Sequence, residues 1–132
     1  MTTDLDVAAD ELWNLIGGFN TLPDWHPAID KSELQEEGSM RTLSLVGGGE
    51  IVEKLEKHDN NEKIYSYAIT ESPLPVSNYR AEIKVIEKGE GKSSVEWSSE
   101  FSAEGAPENE AIDVITGIFQ AGFDNLKKMY GG

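Results

Sequence analysis

The chain has 132 residues, 38% of them hydrophobic and 27% charged, which suits a single globular domain over residues 1–132 and is too apolar for a disordered chain. Its 25 acidic residues outnumber 11 basic ones, and the formal net charge of −14 argues against nucleic acid and anionic membrane surfaces as partners, because like charges repel. Cysteine is absent, which excludes disulfides, and two histidines without clustered carboxylates predict no metal and no cofactor.

The start of the chain predicts no export signal. The first residues form neither a basic n-region nor an apolar h-region. No later apolar run approaches the roughly 20 residues of a membrane-spanning helix. We therefore expect a cytoplasmic protein.

A short strand and two short helices are predicted first. Thr3–Val7 has the alternation of a strand, and Ala9–Ile16 places apolar residues at helical spacing before a glycine pair that ends the helix. A second helix is predicted over Thr21–Trp25, with Thr21 as its cap and Pro23 in its first turn. The His-Pro pair that follows ends it.

From Ile29 to Phe101 the sequence alternates in the manner of an antiparallel meander of about six strands. Turn signals fall at 35–39, 47–49, 59–61, 72–77 and 88–91. Pro107–Tyr130 then predicts one long helix. Its apolar stripe consists of Val114, Ile115, Ile118, Phe119, Gly122, Phe123, Leu126 and Met129. This order of elements predicts an α+β fold in which the helix can lie across the whole sheet.

Pairing the strands as simple hairpins separates a charged face of the sheet from a more apolar one. The charged face carries Lys54, Glu56, Arg80, Glu82, Lys84, Glu87, Glu96 and Glu100. Arg41 and Glu53 nevertheless fall on the apolar face, where simple hairpins place Arg41 opposite Leu55 and Glu53 opposite Tyr67. Arg41 and Glu53 are then diagonal neighbours, within reach of a salt bridge.

Two interpretations of this polar cluster stay open. Burying a carboxylate costs several kcal/mol unless it is paired or hydrated, so the cluster is either a structural ion pair beneath the long helix or the polar end of a pocket. A pocket forms if the helix does not press flat on the sheet, which leaves an apolar wall with a few convergent polar groups. Aromatic side chains on the same face fit both interpretations.

Several motifs resemble one known family in the order in which they occur. They include Leu22-Pro-Asp-Trp25-His-Pro27, Arg41-Thr-Leu43, Glu53-Lys-Leu55, Tyr65-Ser-Tyr67, Asn78-Tyr79 and Glu96-Trp97-Ser98. Together they resemble the polyketide cyclase/dehydrase branch of the START-like superfamily, also called SRPBCC, over nearly the whole chain. Two features depart from that pattern: the first strand is very short, and Glu36-Glu37-Gly38-Ser39 replaces a more common glycine pair.

The resemblance implies a helix-grip fold, in which a curved antiparallel sheet of about six to seven strands wraps a long C-terminal helix and encloses a deep cavity. Members of the superfamily include lipid carriers, hormone receptors and aromatase/cyclases. By resemblance, Trp25, Arg41, Glu53, Tyr67 and Tyr79 fall at cavity-lining positions. The shared face and the position of the second helix add His26, Leu43, Tyr65, Trp97, Phe101, Ile115 and Phe119.

Binding of a small hydrophobic or amphipathic molecule, by a carrier or a sensor, ranks first among the functions considered. The polar end of the bound molecule is expected to meet Arg41, Glu53 and Tyr67. The alternative is a polyketide cyclase/dehydratase-like enzyme with Glu53 as general base, assisted by Arg41 and Tyr67, although a salt bridge makes a carboxylate a weak base. A third class is an interaction module without a ligand. His26 is expected to cap or pack rather than to catalyse. The acidic surface favours solubility, and we expect a monomer or a weak homodimer, which would have to bury an uncharged patch.

Overall fold

The computed structural model describes residues 1–131, and its elements follow the predicted order. The strands are β1 (Thr2–Leu5), β2 (Ile29–Gln35), β3 (Met40–Leu45), β4 (Glu50–Asp59), β5 (Ile64–Glu71), β6 (Val76–Gly89) and β7 (Lys92–Ala103). The helices are α1 (Ala9–Ile16), α2 (Leu22–Trp25) and α3 (Glu108–Tyr130). A single 3-10 turn, Glu36–Gly38, joins β2 to β3.

The strands form one seven-stranded antiparallel sheet in the order β1-β7-β6-β5-β4-β3-β2. Strands β2 to β7 are a continuous meander, and β1 crosses to its far edge, where Thr3 lies opposite Val95. The short first strand therefore pairs with the last one. This topology, with the long C-terminal helix and two short helices after β1, confirms the predicted helix-grip fold.

The first two helices are fixed by local packing. In α1 the apolar side chains of Leu12, Trp13 and Ile16 are buried. A Cβ atom at Gly17 would lie 2.4 Å from the Trp13 ring, so this glycine allows the chain to leave the helix. The predicted cap of α2 is wrong in one respect: the Thr21 hydroxyl makes no cap bond and donates instead to the Leu15 carbonyl at 2.6 Å.

The long helix α3 buries a narrower stripe than the sequence predicts. Val114 and Met129 are exposed, and the buried positions are Ala111, Ile115, Phe119, Gly122, Phe123 and Leu126. Gly122 marks a close approach of α3 to α2, since a Cβ atom at Gly122 would lie 2.9 Å from both His26 and Trp25. Within residues 1–131, α3 included, the helices are too short or too polar to cross a membrane.

Two of the hairpins have a different register from the predicted one. Arg41 lies directly opposite Glu53, where simple hairpin geometry predicts Leu55. In the next hairpin Leu55 lies opposite Tyr67, where simple hairpin geometry predicts Glu53, and β4 carries a bulge between Leu55 and Lys57. Both shifts are by two residues, so the same side chains still face inward. Across β6 and β7, Ile83 lies opposite Trp97.

Candidate functional site

The site is built around a buried ion pair between the neighbouring strands β3 and β4. Arg41 is 1% exposed and Glu53 is 4% exposed. The Arg41 Nε atom donates a hydrogen bond to Glu53 Oε1 at 2.6 Å, and Nη2 lies 2.5 Å from the same oxygen. Both contacts therefore converge on one carboxylate oxygen, Oε1.

The Arg41 guanidinium is enclosed by protein. Its Nη1 atom donates to the Phe19 carbonyl at 2.8 Å, and its central carbon lies 4.2 Å from the centre of the Phe19 ring. The Tyr67 ring lies on a second side at 5.0 Å. With hydrogen bonds in its plane and rings around it, Arg41 is oriented toward Glu53 and the backbone.

A small cavity adjoins the carboxylate between the sheet, α2 and α3. Its free space is about 30 Å³, enough for one or two water molecules, because a single water needs roughly 10–15 Å³. Typical small-molecule sites are roughly 300–1,000 Å³. The lining residues are Leu22, His26, Ile29, Leu43, Ile51, Glu53, Tyr67, Ile69, Leu74, Tyr79, Trp97, Ile115 and Ile118.

The deep cavity implied by the resemblance is therefore nearly filled in this structure, and aromatic packing is the reason. The Trp97 ring stacks on Phe119 with ring centres 4.2 Å apart. The Trp97 Nε1–H group donates to the Tyr67 hydroxyl oxygen at 3.2 Å. Together these contacts hold the indole across the space that a ligand would need.

Glu53 supplies the charged group of the cavity wall. Its Oε1 atom takes both contacts with Arg41, and no protein donor to Oε2 is found within residues 1–131. Oε2 is not one of the fully enclosed unpaired atoms of these residues, among which only Trp25 Nε1 is found, so it keeps accessible surface at the cavity wall. Burial raises the pKa of Glu53, and the Arg41 charge partly opposes that rise. Burial also raises the pKa of Tyr67 and of Tyr79, so both hydroxyls keep their protons at neutral pH.

His26 joins the end of α2 to the middle of α3. Its Nε2 atom lies 2.7 Å from the Ile118 carbonyl oxygen, and its Nδ1 atom accepts from the Ala28 N–H at 3.1 Å. A carbonyl requires a donor and an N–H requires an acceptor, so these contacts assign the neutral tautomer with its proton on Nε2. Burial lowers the pKa of His26, which agrees with a neutral ring.

Seven of the predicted ligand-binding residues lie on the cavity wall: His26, Leu43, Glu53, Tyr67, Tyr79, Trp97 and Ile115. Five do not line it: Trp25, Arg41, Tyr65, Phe101 and Phe119. Six lining residues were not predicted: Leu22, Ile29, Ile51, Ile69, Leu74 and Ile118. Ile51 and Ile69 share the inward face with Glu53, so the alternation that identified Glu53 could have included them; Leu74, in the two-proline loop, gave no such signal.

An open groove runs along the outside of the cavity between β7 and α3. Its volume is about 320 Å³, and its lining includes Phe101, Ile112 and Phe119. Trp97 and Ile115 line both the groove and the internal cavity. These two side chains are therefore the partition between the buried carboxylate and the surface.

A larger open depression of about 470 Å³ lies over the outer face of the sheet. It contains Arg80 and Glu56, which form two hydrogen bonds at 2.9 and 2.7 Å. Both side chains are exposed to solvent, and their charges already compensate each other. This depression lacks the buried polar group and apolar walls of a small-molecule site, so the smaller internal cavity is the better candidate.

Comparisons with known proteins agree with this fold. The family model described as polyketide cyclase / dehydrase and lipid transport matches residues 1–131. The protein XoxI from Bacillus cereus is 38% identical, with a TM-score of 0.96 over 98% of this chain and 92% of that chain. A search of curated proteins found no match.

More distant structures share the fold alone. A START superfamily protein from Mycobacterium smegmatis has a TM-score of 0.75 at 11% identity, covering 98% of this chain and 96% of that chain. A Streptomyces aromatase/cyclase has a TM-score of 0.77 at 16% identity, covering 96% and 88%. Family and fold together support a ligand-binding cavity. On the match of its family model from residue 1 to residue 131, the chain belongs to the polyketide cyclase/dehydrase and lipid transport family.

Proposed function

We propose that this protein is a carrier or sensor that binds a small molecule with an apolar body in the cavity between the sheet and α3. The observation that carries the proposal is the second oxygen of Glu53, which has no protein donor at the wall of an otherwise largely apolar cavity. Leaving a carboxylate oxygen without a partner at the wall of an apolar cavity is costly. Water supplies that partner in the free protein, and a ligand replaces it in the complex.

Ligand entry requires the cavity to expand. The space outside Trp97 and Ile115 is about 320 Å³, so displacing these two side chains would join the groove to the cavity and reach the volume of a small-ligand site. The N-terminal half of α3 favours such a movement. Within residues 1–131, the side-chain and end contacts that tie α3 to the body involve Ile118 at its middle, Asn125 in its second half and Gly131 just after it, and none of these hydrogen bonds involves residues 108–117.

The test uses two aromatic substitutions at adjacent positions of β5. Ile69→Phe adds bulk to the cavity wall, whereas Thr70→Phe adds it on the exposed face of the same strand. A panel of fatty acids, sterols and polyketide-like aromatics is screened by thermal shift, and mass spectrometry under native conditions identifies any molecule that copurifies. We expect hits for the wild type and Thr70→Phe and their loss in Ile69→Phe. Equal responses in all three proteins would refute binding in this cavity.

A second candidate function is acid–base catalysis on such a molecule, as in a cyclase or dehydratase. The observation that favours it is the raised pKa of Glu53, which results from burial and makes the carboxylate a better base. Its free oxygen would take a proton from a carbon beside a carbonyl, while the Tyr67 hydroxyl would donate to the developing enolate oxygen. Turnover in Glu53→Gln at the wild-type rate, with binding retained, would reject this role.

An interaction module without a ligand is less well supported. Such a module needs an apolar patch on the outer face of the sheet. At Glu82, Glu96 and Glu100 that face carries exposed carboxylates. The charged outer face and the buried Glu53 both favour the internal site.

A further inference from the structure

We infer that the polar end of the ligand is a hydrogen-bond donor without negative charge, namely an alcohol or an amine; this inference rests on the proposed function and specifies its ligand. Arg41 is the cation expected to attract a carboxylate, but it does not line the cavity. The group that reaches the cavity is its anionic partner, Glu53. The wall therefore offers an acceptor where the sequence pattern alone suggests a cation.

The free oxygen of Glu53 determines which group the cavity can accept. Burial raises the pKa of Glu53, but contact of two guanidinium nitrogens with Oε1, at 2.6 and 2.5 Å, opposes that rise and favours the ionised carboxylate. Oε2 is then an acceptor with no proton to offer. A ligand that displaces water from it without donating a hydrogen bond leaves a buried carboxylate oxygen unpaired, and sites of this kind reject such analogues strongly.

The aromatic groups around Glu53 reinforce this selectivity. The Tyr67 oxygen already accepts from Trp97 Nε1–H, and its own proton is retained because burial raises its pKa well above the usual value. A ligand hydroxyl can donate to Glu53 and accept from a tyrosine. A ligand carboxylate would place a second negative charge beside Glu53 in a medium of low dielectric constant, which is unfavourable.

The experiment compares four probes of similar length that differ only in their polar end: n-hexanol, n-hexylamine, n-hexanoate and methyl pentyl ether. Binding is followed by the indole N–H signals in a proton–nitrogen correlation spectrum. The Trp97 indole bonds to Tyr67 on the cavity wall. The Trp13 indole bonds to Asn60 and does not line the cavity, so it is the internal control.

The decisive pair is n-hexanol and methyl pentyl ether, because both are neutral and the net charge of −14 acts on neither. We expect a saturable shift of the Trp97 signal with n-hexanol and n-hexylamine, and affinities about tenfold or more above those of the ether and n-hexanoate. Equal affinity for alcohol and ether, or tighter binding of n-hexanoate, would overturn the donor assignment while leaving the cavity site intact. No shift of the Trp97 signal with any of the four probes would overturn the cavity site and the donor assignment together.

A variant tests whether Glu53 is the acceptor. In Glu53→Gln the amide oxygen takes over the contact with Arg41 and the NH₂ group faces the cavity, so the preference for n-hexanol over the ether should disappear or invert. Glu82→Gln makes the same change on the exposed outer face and should keep the wild-type ratio. An unchanged ratio in folded Glu53→Gln would refute the assignment, and if that variant does not fold, the wild-type ranking decides.

Discussion

Removing one partner of the buried ion pair by substitution should destabilise the protein far more than removing both. Glu53→Leu leaves the Arg41 guanidinium, which is 1% exposed, without a counter-charge, although it keeps its hydrogen bond to the Phe19 carbonyl. Arginine cannot escape by losing its proton. We therefore expect a cost of about 3–5 kcal/mol, a large share of the roughly 5–15 kcal/mol that stabilises a typical domain.

Arg41→Met should cost about as much at pH 7, but through a different and pH-dependent route. Without the guanidinium the pKa of Glu53 rises further, and the buried carboxyl takes up a proton. Neutralising it at pH 7 costs up to about 4 kcal/mol, because each pH unit above an unfolded pKa of roughly 4.3 is worth about 1.4 kcal/mol. The folded variant then binds more protons than the unfolded chain, so its deficit relative to the wild type grows as the pH rises from about 4 to 7.

The combined variant Arg41→Met, Glu53→Leu replaces both charges by apolar groups and mainly leaves the Phe19 carbonyl without its donor, at about 1–3 kcal/mol. Urea unfolding followed by tryptophan fluorescence measures the free energy of unfolding of the wild type, the two single variants and the double variant, which together form a double-mutant cycle. We expect a coupling energy of at least about 3 kcal/mol. If a single variant is unfolded in water, folding of the double variant demonstrates the same coupling.

The exposed pair of Arg80 and Glu56 provides the matched control, since it joins the same residue types through two hydrogen bonds. Its coupling should be far smaller because solvent screens it. Additive costs at Arg41 and Glu53, coupling no larger than that of the control pair, or a deficit in Arg41→Met that does not change with pH would each refute the reasoning.

Two further predictions concern how α3 is attached. Gly122→Ala should destabilise the protein by about 1–3 kcal/mol, because the added Cβ would lie 2.9 Å from His26 and Trp25. Gly117→Ala should stabilise it by about 0.5–1 kcal/mol, because nothing lies within 4 Å of that Cβ. Equal effects of the two substitutions in urea unfolding would contradict this. The pKa of His26 is lowered by burial, so the neutral ring should persist in NMR titrations below pH 6.5, and stability should fall as the pH drops below that value, where the unfolded chain binds the extra proton.

The sequence was sufficient to predict which side chains face inward, and the reason is geometric. Alternation in a strand has a period of two, so Glu53 and Tyr67 are assigned to one face by counting alone. The partners across the strands depend on loop length and bulges. The turn at 47–49 shifts the pairing of β3 with β4 by two residues, and the turn after β4 together with the bulge between Leu55 and Lys57 shifts the pairing of β4 with β5 by two. Both shifts leave the face unchanged, but the first moves Arg41 from a diagonal position to one directly opposite Glu53.

The interior of the site could not be predicted in the same way. Whether a helix leaves a cavity depends on side chains that are distant in sequence, and here the stacking of Trp97 on Phe119 at 4.2 Å removes most of the space. Aromatic residues on an inward face are compatible with a filled core and with an open pocket alike. Their contacts decide between the two, and no periodicity encodes those contacts.

The roles of Arg41 and Glu53 show why residue type is a weaker guide than orientation. A buried arginine beside a cavity suggests a site for an anion, but a guanidinium that contacts one carboxylate oxygen, one backbone carbonyl and an aromatic ring has its binding geometry already used. The pair therefore presents the negative charge of Glu53 to the cavity, because Arg41 positions Glu53 and Glu53 covers Arg41. In the complex that we propose, the pair therefore selects ligands through Glu53, the partner that is only half satisfied.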